Sequence, residues 1–135
     1  MDIESKSDFW QTILGITDKS SEVISEQGVK TDIYDTGQGK IELLEALDDS
    51  SPIARYINKK GPGIHHICLA VEDITEALVE LKEAGIELID HEPRVGAEGL
   101  LIAFIHPRST GGILVELAQK PWIRFAYSLI KYFSL

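Results

Sequence analysis

A chain of 135 residues carrying a formal net charge of −9 has the size of one domain and an acidic surface. That surface excludes nucleic acid as a partner, because phosphate binding needs a basic stripe. The composition, 44% hydrophobic and 26% charged, is that of a folded globular protein and not of a disordered tail.

The N-terminus (Met1, Asp2, Ile3, Glu4) is acidic, which fits neither a secretory signal nor an Arg-rich transit peptide. Ile3, Phe9, Trp10, Ile13 and Leu14 then recur on one face of a helix, with Gly15 where a C-cap belongs. Residues 31–35 and 40–44 read as strands joined by the Gly37-Gln38-Gly39 turn. Pro52 suits the first turn of a short helix from Ile53, and Gly61-Pro62-Gly63 closes this half of the chain. In the second half, 64–71 reads as a strand, and Asp73 N-caps a helix over 74–84 that ends at Gly85. Residues 86–90, 100–106 and 113–118 read as three more strands. No apolar run approaches the roughly 20 residues that cross a bilayer, so a membrane span is not expected. The single cysteine, Cys68, leaves no internal disulfide and fits a reducing compartment, and the expected location is the cytoplasm.

The two halves repeat. Both helices begin alike (Asp2-Ile3-Glu4, Asp73-Ile74-Thr75), and both last strands share a core (Ile41-Glu42-Leu43, Val115-Glu116-Leu117). The simplest architecture is an α+β domain over 2–119 made of two βαβββ units, about 2–60 and 61–119. In the second unit the strand bearing His66 precedes Asp73 by seven residues, and the same offset from Asp2 falls before Met1. The first strand of the first unit is therefore expected to be missing.

Four side chains stand out as ligands or bases: His66, Glu42, Glu116 and His106. Strand alternation puts His66 with Cys68 and Ala70, and sets His65 on the other face with Ile67 and Leu69. Glu116 shares its face with Leu114 and Ala118, and a carboxylate in that company needs a partner, of which a cation is one. Taken singly, His66 reads as an ordinary sheet histidine and Glu42 as an outward strand residue. Their repetition at matching points of the two units argues for a site. Mixed imidazole and carboxylate donors suit Co²⁺, Mn²⁺, Ni²⁺ or Zn²⁺. His106, before Pro107, is a candidate substrate contact at a strand end. Cys68 reads as a small buried hydrophobe, and Lys59 and Lys60 as a solvated pair.

Several blocks, in order, resemble methylmalonyl-CoA epimerases of the vicinal-oxygen-chelate (glyoxalase–bleomycin resistance) superfamily. They are Glu26-Gln27-Gly28-Val29-Lys30, Lys40-Ile41-Glu42-Leu43-Leu44, Asp49-Ser50-Ser51-Pro52-Ile53-Ala54, Gly63-Ile64-His65-His66-Ile67, the run from Phe104 to Gly112, and Leu114-Val115-Glu116-Leu117. The resemblance implies a cupped mixed sheet around one divalent cation, Co²⁺ foremost, with Mn²⁺, Ni²⁺ or Zn²⁺ as alternatives. It places ligands at Glu42, His66 and Glu116 and a fourth histidine on the absent first strand. It further implies an acyl-CoA substrate, C2 proton transfer through an enediolate with Glu116 as a base that also touches the metal, and a homodimer. Where some relatives have a second glutamate base, this chain has Thr31, with Asp32 beside it on the opposite face. The rival readings are an impaired or non-enzymatic paralogue and a glyoxalase-type lyase on the same fold.

The tail, 120–135, lies outside the resemblance. Trp122, Phe125, Ala126, Leu129, Ile130 and Phe133 recur at helical spacing, so an amphipathic helix packed on the protein is expected.

Overall fold

The computed structural model describes residues 3–119 and, as backbone alone, residues 131–134. The chain separates into two compact units, with the boundary in sequence between His65 and His66. Among the described residues no helix is long and apolar enough to cross a membrane.

The first unit opens on a short helix, α1 (Glu4–Asp8), which widens into a π-helical turn over Phe9–Ile13. Three antiparallel strands follow: β1 (Lys19–Ile24), β2 (Val29–Asp35) and β3 (Lys40–Ala46). Gly28, at φ 64°, makes the turn between β1 and β2 with a conformation that an L side chain adopts only at a cost. Sequence patterning gave no indication of β1. Its Lys-Ser-Ser-Glu start is polar, and the strand lies at the sheet edge, where a buried apolar face is not required.

Register divides the faces of this sheet. Tyr34 opposes Ile41 and Asp32 opposes Leu43, and Tyr34 and Leu43 pack with Ile3, Trp10 and Ile16 beneath α1. Asp32 lies on this helix-covered face, where it accepts from Ser21 Oγ at 2.6 Å and pairs with Lys19 Nζ at 2.7 Å. The hydrogen bond to Asp32 holds the Lys19 ammonium above its ordinary pKa of 10.5, and burial pushes the Tyr34 hydroxyl above its ordinary 10.0. Both groups therefore lose their protons first in the unfolded chain. Their contribution is complete below about pH 10 and is lost as pH rises through the folded values. Lys19→Met is expected to cost about 1–2 kcal/mol at neutral pH, because it strands a buried carboxylate. The deficit relative to wild type should shrink in urea titrations as pH climbs from 10.5, where the unfolded lysine titrates, through the raised value of the folded one.

After β3 comes α2 (Pro52–Lys60), with Pro52 in the first turn and Ser51 Oγ accepting from the Ile53 N–H as the N-cap. The second unit has β4 (Ile67–Ala70), α3 (Ile74–Glu83), β5 (Arg94–Val95), β6 (Leu101–Ile105) and β7 (Val115–Gln119). Its strand order is β4-β7-β6-β5, with β4 parallel to β7 and the other pairs antiparallel. Asp73 caps α3 by accepting from the Glu76 N–H at 2.9 Å.

Two expected strands differ. Residues 86–90 make only an isolated bridge, Leu88 to Ile105, because the Asp90 carboxylate takes the Phe104 N–H that a ladder would use. The strand expected from 64 starts at Ile67, the Ile64 carbonyl being taken by the Tyr56 hydroxyl.

The internal repeat extends to a detail of capping. The Ile3 N–H donates to Glu45 Oε2 at 2.7 Å, and the Ile74 N–H donates to Gln119 Oε1 at 2.6 Å. Each helix-leading isoleucine is thus bound by a side-chain oxygen three residues beyond Glu42 or Glu116. Each also buries its side chain among the residues flanking that glutamate's strand.

Most of the expected tail helix, up to residue 130, lies outside the described residues. Lys131–Ser134 is a strand, β8, and not the end of that helix; its last residues belong to the first unit, where it follows β3 in the strand order.

Candidate active site

On β7, Leu117 packs with Ile74, Leu78 and Ala103 under α3, which leaves Glu116 on the uncovered face. Phe104 of β6 and Cys68 of β4 are its partners across the two neighbouring strands. The floor on this side is Cys68, Leu100, Ile102 and Ala118. The backbone at Gly96 lies so close over it that a Cβ there would fall 2.6 Å from Ile102 Cδ1.

His66 immediately precedes β4 and shares the floor side with Cys68. Its Nε2 stands 2.7 Å from Glu116 Oε2, both side chains are nearly inaccessible, and the Phe104 ring meets the imidazole edge-to-face at 5.6 Å. A carboxylate buried alone in this apolar setting would cost several kcal/mol, and the imidazole offsets part of that. The pair offers one nitrogen and one oxygen donor in contact, a chemistry that fits a borderline divalent cation. Among the described residues no group of three or more His, Cys, Asp or Glu side chains forms a complete cage.

In the first unit Glu42 is the equivalent of Glu116. It is buried, opposes Ile33 on β2, and stands on the face turned away from α1. Thr31 shares that face. It is fully buried, and its Oγ1 has no hydrogen-bond partner among the described residues, which costs about 1–3 kcal/mol unless a ligand or water supplies one. Asp32 is tied to Lys19 and Ser21 on the other face. A cavity of about 540 Å³ opens in this unit, lined by Ile3, Trp10, Leu43, Ile53 and Tyr56 among others, and Glu42 is not part of its lining.

His106 has a different setting. It caps the turn Pro107–Ser109, its Nδ1 accepts from the Arg108 N–H at 3.1 Å, and its Nε2 lies 4.0 Å from Glu87. Of the sequence candidates, the structure brings His66 and Glu116 into contact. It adds Phe104, which strand register alone would have paired with Glu116.

Two units, each with a helix packed on one sheet face and a glutamate on the other, three residues before the side chain that binds the helix's leading N–H, define the vicinal-oxygen-chelate architecture. The model of the glyoxalase/bleomycin resistance protein/dioxygenase superfamily matches residues 1–104. The mitochondrial methylmalonyl-CoA epimerase of Homo sapiens is 39% identical over 87% of this chain and 68% of its own. The Bacillus subtilis protein YqjC is likewise 39% identical, over 87% of this chain and 84% of its own. A Streptomyces coelicolor methylmalonyl-CoA epimerase variant in complex with 2-nitronate-propionyl-CoA superposes at a TM-score of 0.84 with 28% identity, covering 93% of this chain and 91% of that one. The chain belongs to this superfamily and, within it, to the methylmalonyl-CoA epimerases, which are isomerases.

Proposed function

We propose that this protein interconverts (R)- and (S)-methylmalonyl-CoA by moving the proton at C2, with Glu116 as a base. The observation that carries this reading is the buried 2.7 Å contact between His66 Nε2 and Glu116 Oε2 on an otherwise apolar floor. Oε2 stands against His66 Nε2, so Oε1 is the oxygen that receives the C2 proton. The apolar floor of Cys68, Leu100, Ile102 and Ala118 keeps competing water away from that oxygen. Inversion requires the proton to return on the opposite face. Asp32 cannot serve there, being engaged with Lys19 and Ser21, whereas Thr31 shares the face of Glu42 in the first unit and offers a hydroxyl to a ligand.

His66 and Glu116 are the second-unit residues that would hold a divalent cation, Co²⁺ foremost with Mn²⁺, Ni²⁺ and Zn²⁺ as alternatives, and Glu42 is the matching carboxylate of the first unit. A bound cation would supply electrostatic stabilisation of the negative charge that builds on the acyl oxygens. His106 would touch the substrate from the end of β6, and the active species would be a cytoplasmic homodimer.

The test is incubation with (S)-methylmalonyl-CoA in deuterium oxide, followed by NMR. Deuterium should enter C2 while the R form accumulates, and a chain that leaves C2 protonated overturns the proposal. Treatment with a chelator should lower both the melting temperature and the exchange rate, and added Co²⁺ should restore both. His66→Ala should abolish the thermal shift caused by Co²⁺. A melting temperature that ignores chelator and Co²⁺ alike would remove the cation from this scheme.

A further inference from the structure

We infer that Arg94 is the anion contact of this site and holds a negatively charged group of the acyl-CoA thioester over the floor beside Phe104. The inference rests on the epimerase reading and adds a residue to it. Its ground is the scarcity of cations. From His66 to Gln119 there are ten carboxylates against three basic residues, Lys82, Arg94 and Arg108. A polyanionic thioester approaching such a surface is repelled unless a cation stands where it binds.

Two of the three are badly placed. Lys82 lies in the last turn of α3, whose buried side chains pack on the opposite face of the sheet from Glu116. Arg108 sits past the end of β6 in the Pro107–Ser109 turn, with its Nη1 3.6 Å from the Glu87 carboxylate. Arg94, on β5, carries its guanidinium 5.5 Å from the centre of the Phe104 ring, and that ring is the one resting edge-to-face on His66. The cation is therefore one aromatic ring removed from His66, the residue in contact with the candidate base.

Its placement is also fixed. Asp90 Oδ2 accepts the Phe104 N–H at 2.9 Å, while Oδ1 faces Arg94 Nε at 3.4 Å. One carboxylate thus ties the guanidinium to the strand beneath it. Because Asp90 engages Nε, the two Nη groups form the edge available to a carboxylate or phosphate, the forked geometry that arginine offers and lysine does not. The side chain is 44% exposed, so a ligand reaches it without a rearrangement of the fold.

Two sources provide the anion: the free carboxylate of the acyl group and the phosphates of coenzyme A. Dissociation constants for methylmalonyl-CoA, propionyl-CoA and free coenzyme A, measured calorimetrically on wild type, Arg94→Gln, Arg94→Lys and Arg108→Gln, separate them. Arg94→Gln should weaken methylmalonyl-CoA about tenfold, the loss of one charge-assisted contact. If Arg94 reads the acyl carboxylate, propionyl-CoA is unaffected; if it reads a phosphate, all three ligands weaken alike. Arg94→Lys should recover part of the loss, and Arg108→Gln should change little. Equal affinities in wild type and Arg94→Gln overturn the inference, as does an equal loss in Arg108→Gln, which would show a general charge effect. A wild-type chain that binds acyl-CoA without moving the C2 proton removes the epimerase reading, and the binding constants still judge Arg94. A wild-type chain that binds none of the three overturns both.

Discussion

Glu116→Gln is expected to lower kcat for C2 proton exchange by about 10³-fold, the contribution of a well-placed general base. The substitution keeps the volume of the side chain and an oxygen for the contact with His66, so the floor of Cys68, Ile102 and Ala118 stays filled. What it removes is the proton acceptor. The loss should therefore fall on kcat, with the dissociation constant of methylmalonyl-CoA changed far less. Thermal stability should hold or rise slightly, since a neutral amide is cheaper to bury than a carboxylate. Glu42→Gln makes a useful contrast. If Glu42 only donates an oxygen, its amide replacement retains one, and the loss should be much smaller than at Glu116. Deuterium incorporation followed by NMR decides both, and exchange at the wild-type rate in Glu116→Gln would remove Glu116 as the base.

The legibility of this site followed from the repeat. Neither His66 nor Glu42 is informative alone. Glu42 and Glu116 became so because both occupy the centre of an apolar-Glu-Leu triplet near the end of a unit, and the fold sets both on the helix-free face of their sheets. The same alternation correctly separated Asp32 from Thr31. What escaped was governed by tertiary partners. Strand β1 is polar because it is an edge, so its pairing with β2 leaves almost no hydrophobic signature. The segment before Arg94 has the composition of a strand, yet Asp90 diverts its backbone into a single bridge. Arg94 itself sits in an exposed two-residue strand, and only the ring of Phe104 beneath it gives it meaning. The reach of patterning also ended at the tail, where helical spacing suggested a helix through Phe133 and Lys131–Ser134 is extended.

Ile74→Ala separates the two faces of the second sheet. Ile74 opens α3, is wholly inaccessible, and packs with Leu78, Leu88, Ala103, Ile105 and Leu117. Truncation leaves a cavity in that cluster and should cost about 3 kcal/mol, within the usual range for a buried aliphatic side chain cut to alanine. Alanine's better helix propensity recovers only a few tenths of that. The backbone N–H still donates to Gln119, so the capping contact that joins α3 to β7 survives. Against the 5–15 kcal/mol that holds a typical domain together, roughly 3 kcal/mol is a large fraction, and the urea midpoint should fall accordingly. The chemistry should not follow. Leu117 borders the cavity, but Glu116 points to the other face, where Cys68, Ile102 and Phe104 surround it. At a temperature where the variant is fully folded, its kcat should stay within about twofold of wild type, because packed sheets confine most relaxation to the side where atoms were removed. A drop in kcat much larger than the unfolded fraction explains would show that α3 positions Glu116 through the strand, and that the helix-covered core is part of the catalytic apparatus.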